Sequence, residues 1–317
     1  MSQLSPTPKT SKSGLANLLC VSTVALLLNG LLLAQQPQQK TFASAEDASQ
    51  ALFSAAQAGD QVALLAIFGP AGNAIISSGD PVQDKNTQDQ FVAKYMEMHR
   101  LGQEPDGITT LYVGADNWPV PVPLVLAKGV WYFDTKTAEK EILFRRIGDN
   151  EFSAIDVCNA LVNAQTDYYS QVRDGKVQQY AQVFASDGGQ HNGLYWKTGD
   201  GEPESPIGRW VAYAAGTGYP QPKAGDAPTP FHGYYYRILT EQGKTALGGA
   251  KSYIVNGAMT GGFAIVAYPA DYRSSGVMTF IVNQSGVVYE KDLGPKTAEL
   301  ASEMKEYAPD STWKKTE

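Results

Sequence analysis

FAIVAYPADYRSSGVMTFIVNQSGVVYEKDLG, Phe263 to Gly294, is the stretch on which the fold turns. Two runs rich in β-branched and aromatic residues, Val277 to Val282 and Val287 to Tyr289, flank Asn283-Gln284-Ser285-Gly286. Gly286 takes left-handed backbone without steric cost, so these four residues predict the loop of a β-hairpin. The side-chain period of two places Phe280 and Val282 on one face and Thr279 and Ile281 on the other. Tyr234 to Leu239, Ser252 to Val255 and Gly262 to Tyr268 have the same character, which predicts an antiparallel sheet. A final helix is expected over Lys296 to Tyr307, with Leu300 and Met304 on one face.

Upstream of the sheet the period changes. Ile155, Leu161, Val162, Tyr168, Tyr169 and Val172 recur near helical spacing until Asp174-Gly175, and a second helical piece is expected through Val177, Tyr180, Ala181 and Phe184. Gly188 to Pro230 is loop-rich. Before the long helix, residues 41 to 150 read as helices followed by strands. Ser44-Ala45-Glu46-Asp47 starts a helix that ends at Gly59, and Asp60 caps a second one stopped by Gly69-Pro70. Phe91, Tyr95, Met98 and His99 suggest a third. Thr109 to Val113, Pro123 to Leu126, Val130 to Phe133 and Glu141 to Ile147 read as strands, and the prolines of WPVPVP, Trp118 to Pro123, belong at a sheet edge or in an extended arm. The expectation is an α+β protein divided into residues 1 to 34, 41 to 150 and 151 to 317.

The first of these segments is a different material. Lys9 and Lys12 are the only charged side chains ahead of an apolar run, Leu15 to Ala34, which is followed by QQPQQK. That order predicts export, either by a cleaved signal peptide or by a retained N-terminal anchor, and the bulk of the chain is placed in the periplasm or at the outer face of the inner membrane. Membrane contact is expected only through residues 15 to 34, and only if they are kept. Net charge is −7 at pH 7 with no concentrated basic face, which argues against a nucleic-acid partner. Beyond Cys20 only Cys158 remains, so packing rather than an internal disulfide must stabilise the chain.

Several segments carry a resemblance. The order ALVNAQTDYYSQV (Ala160 to Val172), VQQYAQVFAS (Val177 to Ser186), HGYYYRIL (His232 to Leu239) and the Phe263 to Gly294 stretch resembles the globular part of type IV pilin-like and pseudopilin-like proteins. That implies a helix packed on an antiparallel sheet, although here a whole domain separates Leu15 to Ala34 from Ile155. AGDQVALLAIF and YVGADNWPVPVPLVLAKGVWYFD resemble the cone-shaped nuclear-transport-factor-like fold. Taken whole, including ILFRRIGDNEFSAIDVCNALVNAQTDYYS (Ile142 to Ser170) and SPIGRWVAYA (Ser205 to Ala214), the chain resembles a bacterial family of exported proteins known as domain of unknown function 2950. This last resemblance implies no activity, substrate or catalytic residue.

The residues themselves contain no GxSxG, HExxH or phosphate-binding glycine loop. His99, His191 and His232 have no zinc-site spacing, and Cys158 sits among apolar helical positions as an inert thiol would. Asp200, Glu202 and Glu204 alternate in GDGEPESP and offer hard oxygens to a cation, or else form a solvated acidic turn. Aromatic residues are the remaining signal. Tyr195, Trp196, Trp210 and Tyr235, with His232 at the mouth of a strand, are the candidate binding residues, because amphipathic rings near Gly- and Pro-rich loops suit a protein or glycan surface. No cofactor is expected. The leading reading is a non-enzymatic interaction or structural module whose partner is an envelope protein or cell-wall component. The alternative is a ligand-binding or hydrolytic protein with a pocket in the N-terminal domain, floored by Trp118, Trp131 and Tyr95.

Overall fold

The computed structural model describes residues 39 to 316 except residue 106. The apolar run Leu15 to Ala34, with Lys9, Lys12 and Cys20, lies outside the described residues. Among the described residues no helix is long and apolar enough to cross a membrane.

The chain begins with α1 (Ala45–Ala58), α2 (Gln61–Phe68), the single turn α3 (Asn73–Ile76) and α4 (Pro81–Glu97). Side chains at their starts set the boundaries: Ser44 accepts from the Asp47 N–H and Asp60 from the Ala63 N–H, and Gly59 ends α1 in left-handed backbone. Five strands follow, β1 (His99–Gln103), β2 (Thr109–Val113), β3 (Trp118–Pro119), β4 (Leu124–Ala127) and β5 (Val130–Phe133), in the order β1-β2-β4-β5 with β3 on β2. The proline-bearing β3 is a two-residue strand off the main path, where a missing N–H is harmless. Leu52, Ile67, Tyr95, Leu111, Leu124 and Phe133 close the first core.

Asp134 then caps α5 (Thr135–Tyr169), a 35-residue helix. At 1.5 Å per residue it is about 50 Å long. It gives Ala138 to the first core and Ala154, Cys158, Leu161, Ala164 and Tyr168 to a second, and Asn150, where the sequence reading divides the chain, is a buried residue in its middle. After α5 come β6 (Val183–Ala185), β7 (Gly193–Tyr195), α6 (Gly208–Gly216), β8 (Tyr234–Leu239), β9 (Glu241–Gln242), β10 (Lys251–Ser252), β11 (Ala264–Pro269), β12 (Met278–Asn283), β13 (Tyr289–Asp292), α7 (Thr297–Glu303), β14 (Glu306–Tyr307) and β15 (Lys314–Lys315). The main sheet runs β15-β13-β12-β11-β8, antiparallel throughout, with Ala267 opposite Phe280 on one side and Tyr236 on the other. The α+β expectation holds, and so does the hairpin: Gly286 has φ 73° and its N–H donates to the Asn283 carbonyl at 2.9 Å.

Four local expectations fail, each for a physical reason. Glu141 to Ile147 is helix, not strand, because it continues from the Asp134 cap and Glu141 holds Arg145 one turn on at 2.7 Å. The helix α4 stops at Glu97, since Met98 is already extended (φ −162°) and His99 opens β1. Val177 to Phe184 is not helical, because tertiary partners take its backbone: the Gln165 amide bonds both the N–H and the C=O of Ala181 at 2.8 Å, and the Tyr180 N–H donates to the Met259 carbonyl. The final helix ends at Glu303, beyond which Glu306 and Tyr307 pair in parallel with β9.

Candidate functional site

An apolar cavity of about 570 Å³ lies between α5, β6, α6 and β8. Val157, Ala160 and Leu161 of α5 form one wall, Val211 and Ala214 of α6 another, and Tyr236 of β8 contributes from the sheet. The short helix α6 is amphipathic: Val211 is buried, while Trp210 at the cavity rim is 51% exposed and Tyr213, one turn on, is 61% exposed.

A strap, Tyr219-Pro-Gln-Pro-Lys-Ala-Gly-Asp-Ala-Pro-Thr-Pro-Phe231, runs along the cavity. Its four prolines fix φ and supply no N–H, so it needs few backbone partners and makes one internal turn, from the Asp226 N–H to the Lys223 carbonyl at 3.2 Å. Both ends are tied to one carboxylate. Asp80, fully buried, accepts from the Tyr219 hydroxyl at 2.8 Å and from the Gly233 N–H at 3.1 Å through Oδ2, while Oδ1 caps α4 by accepting from the Val82 and Gln83 N–H groups. The His232 N–H donates to the Tyr219 hydroxyl oxygen at 3.3 Å, and the Tyr219 and Phe231 rings meet edge to face at 4.8 Å. Burial, reinforced by Asp80, pushes the Tyr219 hydroxyl well above its ordinary pKa, so it stays a donor. Burial lowers the His232 imidazole, with Asp80 opposing.

The sequence-predicted binding residues fall into three places. Trp210 lines the strapped cavity, and His232 stands at the end of its strap against Phe231 at 4.3 Å. Tyr195 is the half-buried last residue of β7, and Trp196 is buried beside it. Trp196 donates its indole N–H to the Pro203 carbonyl, meets His191 edge to face, and shares the Arg173 guanidinium with Tyr168. Tyr235 packs on Tyr268 at 5.6 Å, on the opposite side of β8 from Tyr236. Asp80 was not foreseen, although Asp80-Pro81 is a legible helix start.

The acidic turn does not gather. Glu202 accepts from the Gly199 N–H at 2.9 Å, Glu204 pairs with Arg209 at 3.2 Å, and among the described residues no group of three or more His, Cys, Asp or Glu side chains could hold a metal ion. His191 bonds Asp174 with its ring (2.9 Å) and its N–H (2.8 Å), which holds the Asp174 carboxyl below the usual carboxylate range. His99 stacks on Tyr95 at 3.9 Å. Cys158 is fully buried and its thiol is pushed up to about 12, a structural thiol at neutral pH. A second cavity, about 600 Å³, lies in the N-terminal half and has Trp118 in its lining, while Tyr95 is buried in a ring stack with Phe53.

No curated protein and no solved structure matches this chain. Over residues 39–316 it matches the family described as protein of unknown function (DUF2950), and it belongs to that family.

Proposed function

We propose that this is an exported, non-catalytic binding module of the cell envelope, which docks apolar side chains of an envelope protein beneath the proline strap. The observation that carries the reading is the strapped cavity itself: apolar walls, with Trp210 and Val183 exposed in its lining. An exposed tryptophan at the rim of an apolar cleft has the character of an interface anchor. A rigid strap lowers the ordering cost of forming that contact. The Lys9, Lys12 and Leu15 to Ala34 order supports export, and the pilin-like order of segments in the second half supports an envelope role.

The test is photo-crosslinking from a benzophenone side chain placed at Val183 of the full chain in its native envelope, with the same probe at Lys315 as a control. A discrete adduct from position 183, absent from 315 and lost when Ala214→Trp fills the cavity, is the expected result. An adduct indifferent to Ala214→Trp, or none at all, overturns the reading.

A further inference from the structure

Every fourth residue through the middle of α5 forms one row on its surface: Lys140, Phe144, Gly148, Phe152 and Asp156. None of the five lines either cavity. Phe144 is 77% exposed and Phe152 is 73% exposed. A lone exposed apolar side chain is ordinary, but these two share a row about 12 Å apart and form a patch. Midway between them stands Gly148, the one glycine among the 35 residues of α5. It has no positive φ, and a Cβ built there meets nothing within 4 Å, so neither backbone strain nor crowding within the chain calls for it. Glycine in mid-helix is destabilising relative to alanine. What it supplies in return is bare backbone that another helix can approach closely.

The two ends of the row carry opposite charge. Lys140 and Asp156 are both exposed, and neither has an oppositely charged residue three or four positions away on its own helix. The neighbouring charges leave this polarity intact. Glu141 and Arg145 pair with each other at 2.7 Å, Glu151 accepts from the Val277 and Met278 N–H groups, and exposed Lys136 extends the basic end. Asp149 lies about 100° around the helix from Gly148, on the side of the second cavity. A row whose charge reverses about its own midpoint is complementary to a second copy turned end for end. Laid the other way, the same two copies would set Lys140 on Lys140 and Asp156 on Asp156, which is repulsive.

We propose that two copies of this chain pair through α5, antiparallel and crossing at Gly148, with Phe144 of each copy against Phe152 of the other and Lys140 against Asp156. Rows of every fourth residue on two helices run alongside one another when the helix axes cross at about 50°, the commonest helix packing. The two-fold axis then passes beside Gly148, where the missing side chains let the backbones meet, and both phenylalanine pairs close over the crossing. One helix per copy buries less than a standard interface, so the dimer is a transient one. It does not depend on what the strapped cavity binds.

The experiment is disulfide trapping in the purified full chain carrying Cys20→Ser, which leaves only the fully buried Cys158 as a native thiol. Gly148→Cys, oxidised with copper–phenanthroline, is expected to give a covalent dimer on non-reducing electrophoresis. Asn159→Cys, exposed on the same side of α5 but about 16 Å further along it, is expected to give none, because an antiparallel pair holds its two copies too far apart for a disulfide. Added to Gly148→Cys, either Lys140→Glu or Asp156→Lys should lower the dimer yield by roughly fivefold or more, and the two together should restore it. Positions 140 and 156 are about 24 Å apart on one helix, so that rescue acts only between copies. A Gly148→Cys chain that stays monomeric, as it would if some other partner covered this face, overturns the proposal. So does equal trapping at Asn159→Cys, or a charge-swapped chain that dimerises no better than either single reversal.

Discussion

His232 joins backbone geometry to titration at one residue. Its φ is +50°, its N–H is committed to Tyr219, and its ring lies against Phe231. Burial lowers its pKa, and nearby Asp80 restores only part of that. The unfolded chain therefore takes up a proton below about pH 6.5 that the folded chain declines until lower pH. Protons bound to the unfolded state exceed those bound to the native state in that window, so stability falls as pH drops from about 6.5 through the lowered native value, and this contribution is flat above it. The melting temperature is expected to decline between pH 7 and 5.5. His232→Asn, which tolerates left-handed backbone, should make that decline shallower. A slope untouched by His232→Asn would remove the residue from this role. The sequence marks His232 as the mouth of a strand and Asp80-Pro81 as a helix start. It does not disclose that Asp80 serves partners 139 and 153 residues away, because such pairing leaves no local period.

At the scale of elements, the hairpin between β12 and β13 shows what local chemistry makes legible. Gly286 has φ 73°, and a Cβ built there meets nothing within 4 Å, so the cost of any side chain is conformational rather than steric crowding by neighbours. Gly286→Val should lower stability by about 1 kcal/mol or more, read from denaturant midpoints at constant slope. An unchanged midpoint would contradict the left-handed assignment. The same legibility holds for α1 and α2, where Ser44, Gly59 and Asp60 act within their own turn. It fails where an apolar run is short or where partners are remote. Ile142, Leu143 and Ile147 read equally well as strand or as one flank of α5, and only the Asp134 cap, with Thr137 as its partner, decides between them. Tyr180 and Ala181 have helical spacing, yet Gln165 and Met259 claim their backbone. The candidate site suffers most from this: aromatics near Gly- and Pro-rich loops were visible in the sequence, but Trp210 came to the strapped cavity while Tyr235 went to the far face of its sheet.

For the molecule as a whole, the question is how two cores that share one helix unfold. Around the middle of α5 the bonds run both ways along the chain. Arg146 holds the carbonyls of Ala74, Ile75 and Ser77, and Glu151 accepts from the Val277 and Met278 N–H groups at 2.9 Å. Between them, buried Asn150 accepts from Gln83 and donates to the Ser275 carbonyl, while the side chain of Asp80 bridges α4 to Tyr219 and Gly233. A helix common to both cores and a buried polar junction across it make partial opening expensive, because freeing either half strands donors and acceptors in the other. Heating is therefore expected to give one transition, with tyrosine fluorescence and helical circular dichroism coincident and the calorimetric enthalpy equal to the van't Hoff value. Asn150→Leu keeps the branching of the side chain and leaves the Gln83 N–H and the Ser275 carbonyl unpaired, so it should cost about 2 to 3 kcal/mol and separate the two probes into distinct midpoints. Two resolved transitions in the wild-type chain would mean that the junction does not couple the cores. Coincident probes in Asn150→Leu, at a lowered midpoint, would mean that α5 and its apolar contacts couple them without it.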